Sequence, residues 1–408
     1  MIDIVMLIVI YIVLTSIIYI VTRGKDIAIY GKRIRFIPGG FLAFIGKEKT
    51  PIVHRPVGKK VSLILIITMV LGMAIFYIFF LPIILRETIF SYIFYATGKT
   101  STPPQPSVVP IPMIFMFRDI LIYIIVAIGI GVIVHEVAHA IIALREGIKL
   151  RSWGIGIVFL MPLAFVELDE EQFNRAPARS RLNIVSAGSF ANALIALIAF
   201  ILLISLRYYI VQIFGNPVIV PMVTSIDCSL CNTNPICPAR VFGAPTIIYS
   251  INGTRLYSSL QIGQILLHTQ LNSTIPITIC SAGGECKNIS IVLDAYNEEI
   301  FNRNGTKVPC LGVRLQDVIA FERNGHIYVN QMIIELTNYL AYIFMINLSL
   351  YAFNAIPLII SDGSLFISIL SELFRWLKPL SRSRVIDIIN IFIIAIATGI
   401  STYLLLRP

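Results

Sequence analysis

The chain has 408 residues, 57% of them hydrophobic and 13% charged, with a mean hydropathy of +0.85. That balance excludes a soluble globular protein of this length and leaves an integral membrane protein. The formal net charge of +10 would suit a nucleic-acid binder, but Lys and Arg gather in loops beside apolar runs rather than on one surface, so membrane topology accounts for the charge and no nucleic-acid partner is expected.

The first apolar run, Ile2–Val21, is too long for the core of a signal peptide and no small-residue cleavage site follows it, which predicts a retained helix. The runs Val61–Leu85, Ile120–Leu144, Ile184–Leu206, Ile333–Ile360 and Ile386–Leu406 are each long enough to cross a hydrocarbon core of about 30 Å, giving about six spanning helices. Between the first two lies a basic loop with Lys25, Lys32, Arg33, Arg35, Lys47, Lys49, Arg55, Lys59 and Lys60, which belongs in the cytosol. Alternation then places segment 86–118, Pro-rich around Pro103-Pro104-Gln105-Pro106, outside, and 145–181, with Arg151, Arg175 and Arg179, inside. Segment 207–331 falls outside, the loop with Arg375, Lys378, Arg382 and Arg384 inside, and both termini outside.

The third run contains His135-Glu136-Val137-Ala138-His139. In a helix, histidines four apart lie one turn above each other and their imidazoles can share a Zn²⁺ ion, with Glu136 placed to act on a bound water. The bland alternatives are a chance match in a helix, or histidines that line a transport path. Against chance stands the cost of ionisable groups at bilayer depth, several kcal/mol unless they face a protein interior or a wet cavity. Downstream, Glu167, Asp169, Glu170 and Glu171 form an acidic cluster that reads as a solvated cytosolic face.

All six cysteines, Cys228, Cys231, Cys237, Cys280, Cys286 and Cys310, fall in the one large segment assigned outside. An even set there points to disulfides ahead of a zinc knuckle, with fifteen possible pairings. The same segment carries N-glycosylation sequons at Asn252, Asn272, Asn288 and Asn304. Its short β-branched stretches broken by Gly, Asn and Pro, such as Ile247–Ile251 before Asn252-Gly253 and Ile275–Ile279, predict a mostly β domain.

The fifth run ends Phe353-Asn354-Ala355-Ile356-Pro357-Leu358-Ile359-Ile360-Ser361-Asp362-Gly363. Pro357 removes a backbone donor and Gly363 relaxes the chain, so a helix break is expected, tolerated at membrane depth where it lines a cavity. Asp362 at that break supplies the third protein ligand of a catalytic zinc that keeps one position for water. Asn347 and Asn338 in the same run read as helix packing.

His-Glu-x-x-His in one membrane helix, followed after an insertion by Asn-x-x-Pro-x-x-x-x-Asp-Gly in a later one, resembles the site-2 protease family. Ser186-Ala187-Gly188-Ser189-Phe190-Ala191-Asn192 is similar to the small-residue and Asn motif of that family. The segment Trp153–Leu168 resembles its membrane-dipping β-hairpin, whose strands could pair with an unwound substrate. Pro238–Gly243, Ile247–Thr254 and a helical Ser258–Leu267 resemble a PDZ domain; where the pattern has Gly-Leu-x-x-Gly-Asp this chain has Gly243-Ala244-Pro245-Thr246, and a disulfide-stapled lid is the equal alternative.

The resemblance implies an intramembrane zinc metalloprotease: one Zn²⁺ held by His135, His139 and Asp362, Glu136 as general base and acid, and Asn192 and Asn354 beside the ligands or the substrate. It implies as partners single-pass membrane proteins already trimmed on the outer side, and surrounding lipid. The expected organisation is 1–118, two amino-terminal helices; 119–208, the first part of the core; 209–332, an extracytosolic PDZ-like domain between the fourth and fifth helices; and 333–408, the second part of the core with the last helix. The expected location is the plasma membrane of a prokaryote, with the site toward the cytosol. A divalent-metal transporter would show repeated halves, and none is visible; an inactive scaffold is the remaining alternative.

Overall fold

The computed structural model describes residues 2–29, 32–46, 49–50, 55–100, 104, 118–231, 237–295, 309–324, 326–359, 361–379 and 384–406. The Asn304 sequon, Arg382 and most of the Pro-rich stretch lie outside these residues. The chain divides into two compact units, Met1–Ile201 with Tyr339–Pro408, and Leu202–Asn338.

The first unit is built on apolar helices. An amino-terminal helix, α1, spans Ile2–Thr22. Five helices among the described residues are long and apolar enough to cross a membrane: α2 (Lys59–Ala96), α3 (Arg118–Arg145, its apolar part from Ile120), α5 (Ala178–Phe214), α7 (Gln331–Ala355) and α9 (Val385–Leu406). Between α3 and α5 a short α4 covers Glu170–Arg175. The second helix does not stop at Leu85 as its hydropathy suggested. It runs on to Ala96 through π-helical turns at Phe76–Phe80 and Ile84–Phe90, which flank Pro82. Proline has no N–H for the helical ladder and its ring crowds the carbonyl four residues back, so a widened turn on either side keeps the helix continuous.

The basic loop, read only as a topology signal, holds three strands: β1 (Ile27–Ile29), β2 (Lys32–Ile37) and β3 (Gly40–Gly46). They join the expected hairpin, β4 (Leu150–Val158) and β5 (Met161–Leu168), in an antiparallel five-stranded sheet of order β1-β2-β3-β4-β5. Phe41 pairs with Ile157 and Ala43 with Ile155, so the sheet ties the chain before α2 to the chain after α3. Phe44 lies edge-on to Phe165 with ring centroids 5.0 Å apart, and the Arg33 and Arg35 guanidinium groups sit over the same Phe44 ring. β5 is an edge strand, and it packs along α3.

The fifth helix ends at Ala355, five residues short of the apolar run. Ser361 makes the break and caps the next helix, α8 (Asp362–Leu373): its hydroxyl accepts from the N–H groups of Leu358 and Ser364 and donates to the Ile356 carbonyl at 2.6 Å. Asn390 on α9 donates to the Pro357 carbonyl at 2.9 Å and to the Tyr77 hydroxyl at 2.8 Å. A Cβ at Gly363 would lie 2.1 Å from the Ala355 carbonyl oxygen, so only glycine lets α8 begin so close against the end of α7.

The second unit is a sheet with a helix against it. β6 (Asn216–Ile226), β7 (Thr246–Ile251), β8 (Thr274–Cys280), β9 (Cys286–Val292), β10 (Val313–Arg323) and β11 (His326–Tyr328) run in the order β9-β8-β7-β6-β10-β11. The helix α6, Ser259–Leu267, is capped by the Ser258 hydroxyl and lays Ile262 and Leu266 into a core with Ile248, Ile251, Ile277 and Leu293. The six cysteines pair as Cys228–Cys237, Cys231–Cys310 and Cys280–Cys286. Asn252, Asn272 and Asn288 are exposed.

Candidate metal centre

His135 and His139 lie on α3, and Asp362 opens α8, 223 residues further on. The helical four-residue spacing turns both imidazoles the same way. Their Nε2 atoms are 3.0 Å apart, and Oδ2 of Asp362 is 3.1 Å from one and 3.2 Å from the other. Side-chain exposures of 10%, 13% and 22% place the three at the inner end of a water-accessible recess rather than on a surface. They form the one His/Cys/Asp/Glu group among the described residues that could hold a metal.

The ligand geometry suits a tetrahedral ion. Metal–ligand bonds of about 2.0–2.1 Å require ligand atoms about 3.3–3.4 Å apart, and the triangle here is a few tenths of an ångström tighter. The outer nitrogens support the same reading. Nδ1 of His139 is 2.7 Å from the Ile184 carbonyl oxygen, which can only accept, so Nδ1 carries the proton and Nε2 of the neutral ring offers its lone pair inward. Nδ1 of His135 is 3.1 Å from the Asn192 side-chain amide, while the amide oxygen in its present orientation is buried with no partner. Turning that amide over puts its oxygen on Nδ1–H of His135 and frees Nε2 for a metal. Two lone pairs and a carboxylate converging within 3.2 Å call for a cation among them.

α5 supplies both bracing groups, and it can approach because Gly188 has no side chain. A Cβ there would lie 2.4 Å from Nε2 of each histidine. In the sequence Gly188 is one residue of a small-residue motif; its role is a distance, which no motif states.

A cavity of about 790 Å³ opens from the triad, lined by His135, Glu136, His139, Asn354 and Asp362 at the inner end and by Arg151, Glu167, Glu170 and Asn174 toward the mouth. Val166 on β5 lines this cavity beside Glu136, so the edge strand borders the same space. Glu167 and Glu170 therefore belong to the cavity and are not merely a solvated face. Asn354 also lines it, as expected of a residue beside the ligands or the substrate, while Ser361 and Asn390 brace the break itself. Asn347 is buried against α3, its amide donating to the Ile343 carbonyl at 2.9 Å. Asn338 lies at the edge of the second unit.

The sequence pattern described as peptidase family M50 matches residues 123–398, which takes in both histidines, Glu136 and Asp362. A stretch of 89 residues is 45% identical to an uncharacterized protein of Methanocaldococcus jannaschii, covering 21% of this chain and 24% of that protein. The match thus spans about a quarter of the length of that relative. With two thirds of its length inside the family pattern, and with both histidines on a helix long and apolar enough to span a membrane, the chain belongs to peptidase family M50, the family of the site-2 membrane metalloproteases.

Proposed function

We propose that the chain is an intramembrane zinc endopeptidase that cuts single-pass membrane proteins within their membrane segment. The observation that carries this is the triangle of His135, His139 and Asp362 at the end of a cavity that Glu136 also lines, with both histidines on a helix long and apolar enough to cross a membrane. The donor set of two imidazoles and one carboxylate, with room for water, is that of a catalytic zinc site rather than a closed structural one. When bound there, zinc lowers the pKa of water toward neutrality and polarises a carbonyl.

The chain's own residues do the rest. Glu136 takes the proton of the attacking water and hands it to the leaving amine, a role that fits a carboxylate bordering the cavity beside the triad. Asn192 and the Ile184 carbonyl hold the two imidazoles in the tautomer that leaves Nε2 free. A peptide bond in a helix has its carbonyl bonded and shielded, so the substrate must unwind before attack. The free edge of β5, next to Glu136, offers backbone groups to which an extended segment can add as a strand.

In this reading the disulfide-bonded β domain faces the outside, is PDZ-like, and screens the trimmed end of a substrate, while the charged mouth of the cavity faces the cytosol of a prokaryotic plasma membrane. Three disulfides and three exposed sequons support that sidedness. The test is cleavage of a tagged single-span substrate by purified protein in detergent, comparing the parent, Glu136→Gln and the chelated parent with zinc restored. Glu136→Gln is expected to keep its zinc and to lose about 10²- to 10⁴-fold in rate. If parent and variant both bind zinc and neither cuts any of several helix-destabilised substrates, the protease reading fails, and metal flux in vesicles then decides for or against a transporter.

A further inference from the structure

Seven residues beyond His139, a second carboxylate is buried that the chemistry does not use. Glu146 is 9% exposed, just past the end of α3. Its Oε1 accepts from the Val57 backbone N–H at 3.2 Å and from Asn183 Nδ2 at 2.9 Å, and its Oε2 accepts from the Ser180 hydroxyl at 2.8 Å. The arms are themselves linked. The Ser62 hydroxyl donates to Asn183 Oδ1 at 2.6 Å and accepts from Arg179 Nε at 3.0 Å, and Arg179 Nη2 donates to the Val57 carbonyl at 3.2 Å. One carboxylate thus gathers the approach to α2, the end of α3 and the start of α5.

Asn183 directly precedes Ile184, whose carbonyl fixes the tautomer of His139. Ile184 is buried against Ala143, Ile148 and Leu150, so its backbone has little room to slide independently. Removing the acceptors of Glu146 leaves buried donors on Asn183, Ser180 and Val57 unpaired, and each seeks a new partner or water. The cheapest relief is movement of the first turns of α5 relative to α3, which carries the Ile184 carbonyl away from His139.

We propose that Glu146 is a positioning residue for the metal centre, setting the register of α5 on α3 so that the Ile184 carbonyl meets Nδ1 of His139. The inference rests on the zinc-site reading above, so its test reads metal binding apart from proteolysis. Purified full-length protein in detergent is titrated with Co²⁺ and Zn²⁺ against a competing chelator, and the visible bands of the Co²⁺ form are recorded. Glu146→Ala is expected to weaken metal binding by about 10- to 100-fold and to change the Co²⁺ spectrum, while Glu146→Gln, whose amide oxygen still accepts from Val57 and Asn183, stays within about threefold of the parent. Ile124→Ala, a buried position three turns before His135 on the same helix, lowers thermal stability without changing the affinity. Should Glu146→Ala fail to insert, Asn183→Ala removes the arm beside Ile184 and carries the same expectation.

Parent affinity in Glu146→Ala overturns the proposal. So does an equal loss in Glu146→Gln, which would assign the effect to charge, or an equal loss in Ile124→Ala, which would assign it to general loosening. A parent that binds metal no better than His135→Ala sinks the zinc-site reading itself, and the positioning role with it.

Discussion

A Gly188→Ala substitution puts a methyl carbon 2.4 Å from Nε2 of both His135 and His139 and 2.5 Å from Cε1 of His135. Non-bonded contacts begin near about 3.5 Å, so rings or helix must recede by about 1 Å. Neither ring can give way alone. His139 is held through the Ile184 carbonyl at 2.7 Å and His135 through Asn192 at 3.1 Å, and both partners sit on α5, the helix that carries Gly188. The methyl therefore drives α5 off α3 and takes the bracing groups with it. A misplacement of about 1 Å at reacting groups costs on the order of 10²-fold in rate. Loss of imidazole bracing costs about 10- to 100-fold in metal affinity. The helix itself gains, since alanine in a helix interior is favoured over glycine by about 0.5–1 kcal/mol, so the variant should insert and purify like the parent. The assay is metal per chain and chelator competition on the purified protein, with cleavage of the tagged substrate beside it. A Gly188→Ala protein that holds one metal ion at parent affinity and cuts at the parent rate would refute the packing argument and the assignment of Nε2 as the ligand atoms.

Asn192→Leu keeps the volume roughly but removes the acceptor for Nδ1–H of His135. Metal affinity should fall by about 10- to 100-fold, and unchanged affinity by chelator competition would show that Asn192 is only helix glue. In the β domain, Cys231–Cys310 closes a separation of 79 residues and Cys280–Cys286 one of 6. Loop-closure entropy gives about 4.5 kcal/mol for the first and about 2 kcal/mol for the second, so the double serine variant of the long bridge should lower the domain's melting temperature more; the reverse order in calorimetry would defeat that ranking. Arg255 donates to both carboxylate oxygens of Glu322 at 2.6 and 2.7 Å, which holds that carboxyl below its usual value of 4.5. A group depressed in the folded state adds stability above its unfolded pKa and loses it as pH falls through the folded one. Glu322→Gln should therefore flatten the decline of the domain's melting temperature below about pH 4.5, and a decline parallel to the parent's would count against it.

Features written in neighbouring residues were legible in the sequence; features made by distant approach were not. Spanning helices follow from runs of apolar residues, the histidine pair from its spacing of four, and the break from Pro357 and Gly363. The end of α2 is not legible in hydropathy because Arg86 and Glu87 look like a loop, yet both are good helix formers and both side chains are exposed on the helix surface. β1 to β3 were hidden because Lys32-Arg33-Ile34-Arg35 reads as a basic loop, and the three strands join the larger sheet only through β3, whose partner β4 lies more than a hundred residues away. Ser361 and Asn390 carry no motif, and their part in the break is known from where their hydrogen atoms go. Glu167 and Glu170 sit beside Asp169 and Glu171 in sequence, and only folding of β5 along α3 turns the first two into the cavity.

Charge at membrane depth explains why these residues and not others meet there. Two imidazoles whose Nδ1 atoms meet the Ile184 carbonyl and the Asn192 amide offer Nε2 lone pairs to a metal and, as neutral ligands, no charge, while Asp362 and Glu136 can supply one negative charge each. Bare, the cluster carries two negative charges close together in a medium that solvates them poorly, a costly arrangement unless protons or a cation enter. A divalent ion makes the whole set neutral. A third histidine in place of Asp362 would leave a net positive charge, and a second ligating carboxylate would leave no ionised base to spare without a net negative one. The donor set is thus the one that balances a divalent ion and still keeps a free carboxylate beside it, and the close helix approach that Gly188 and Gly363 permit lets residues 223 positions apart strike that balance.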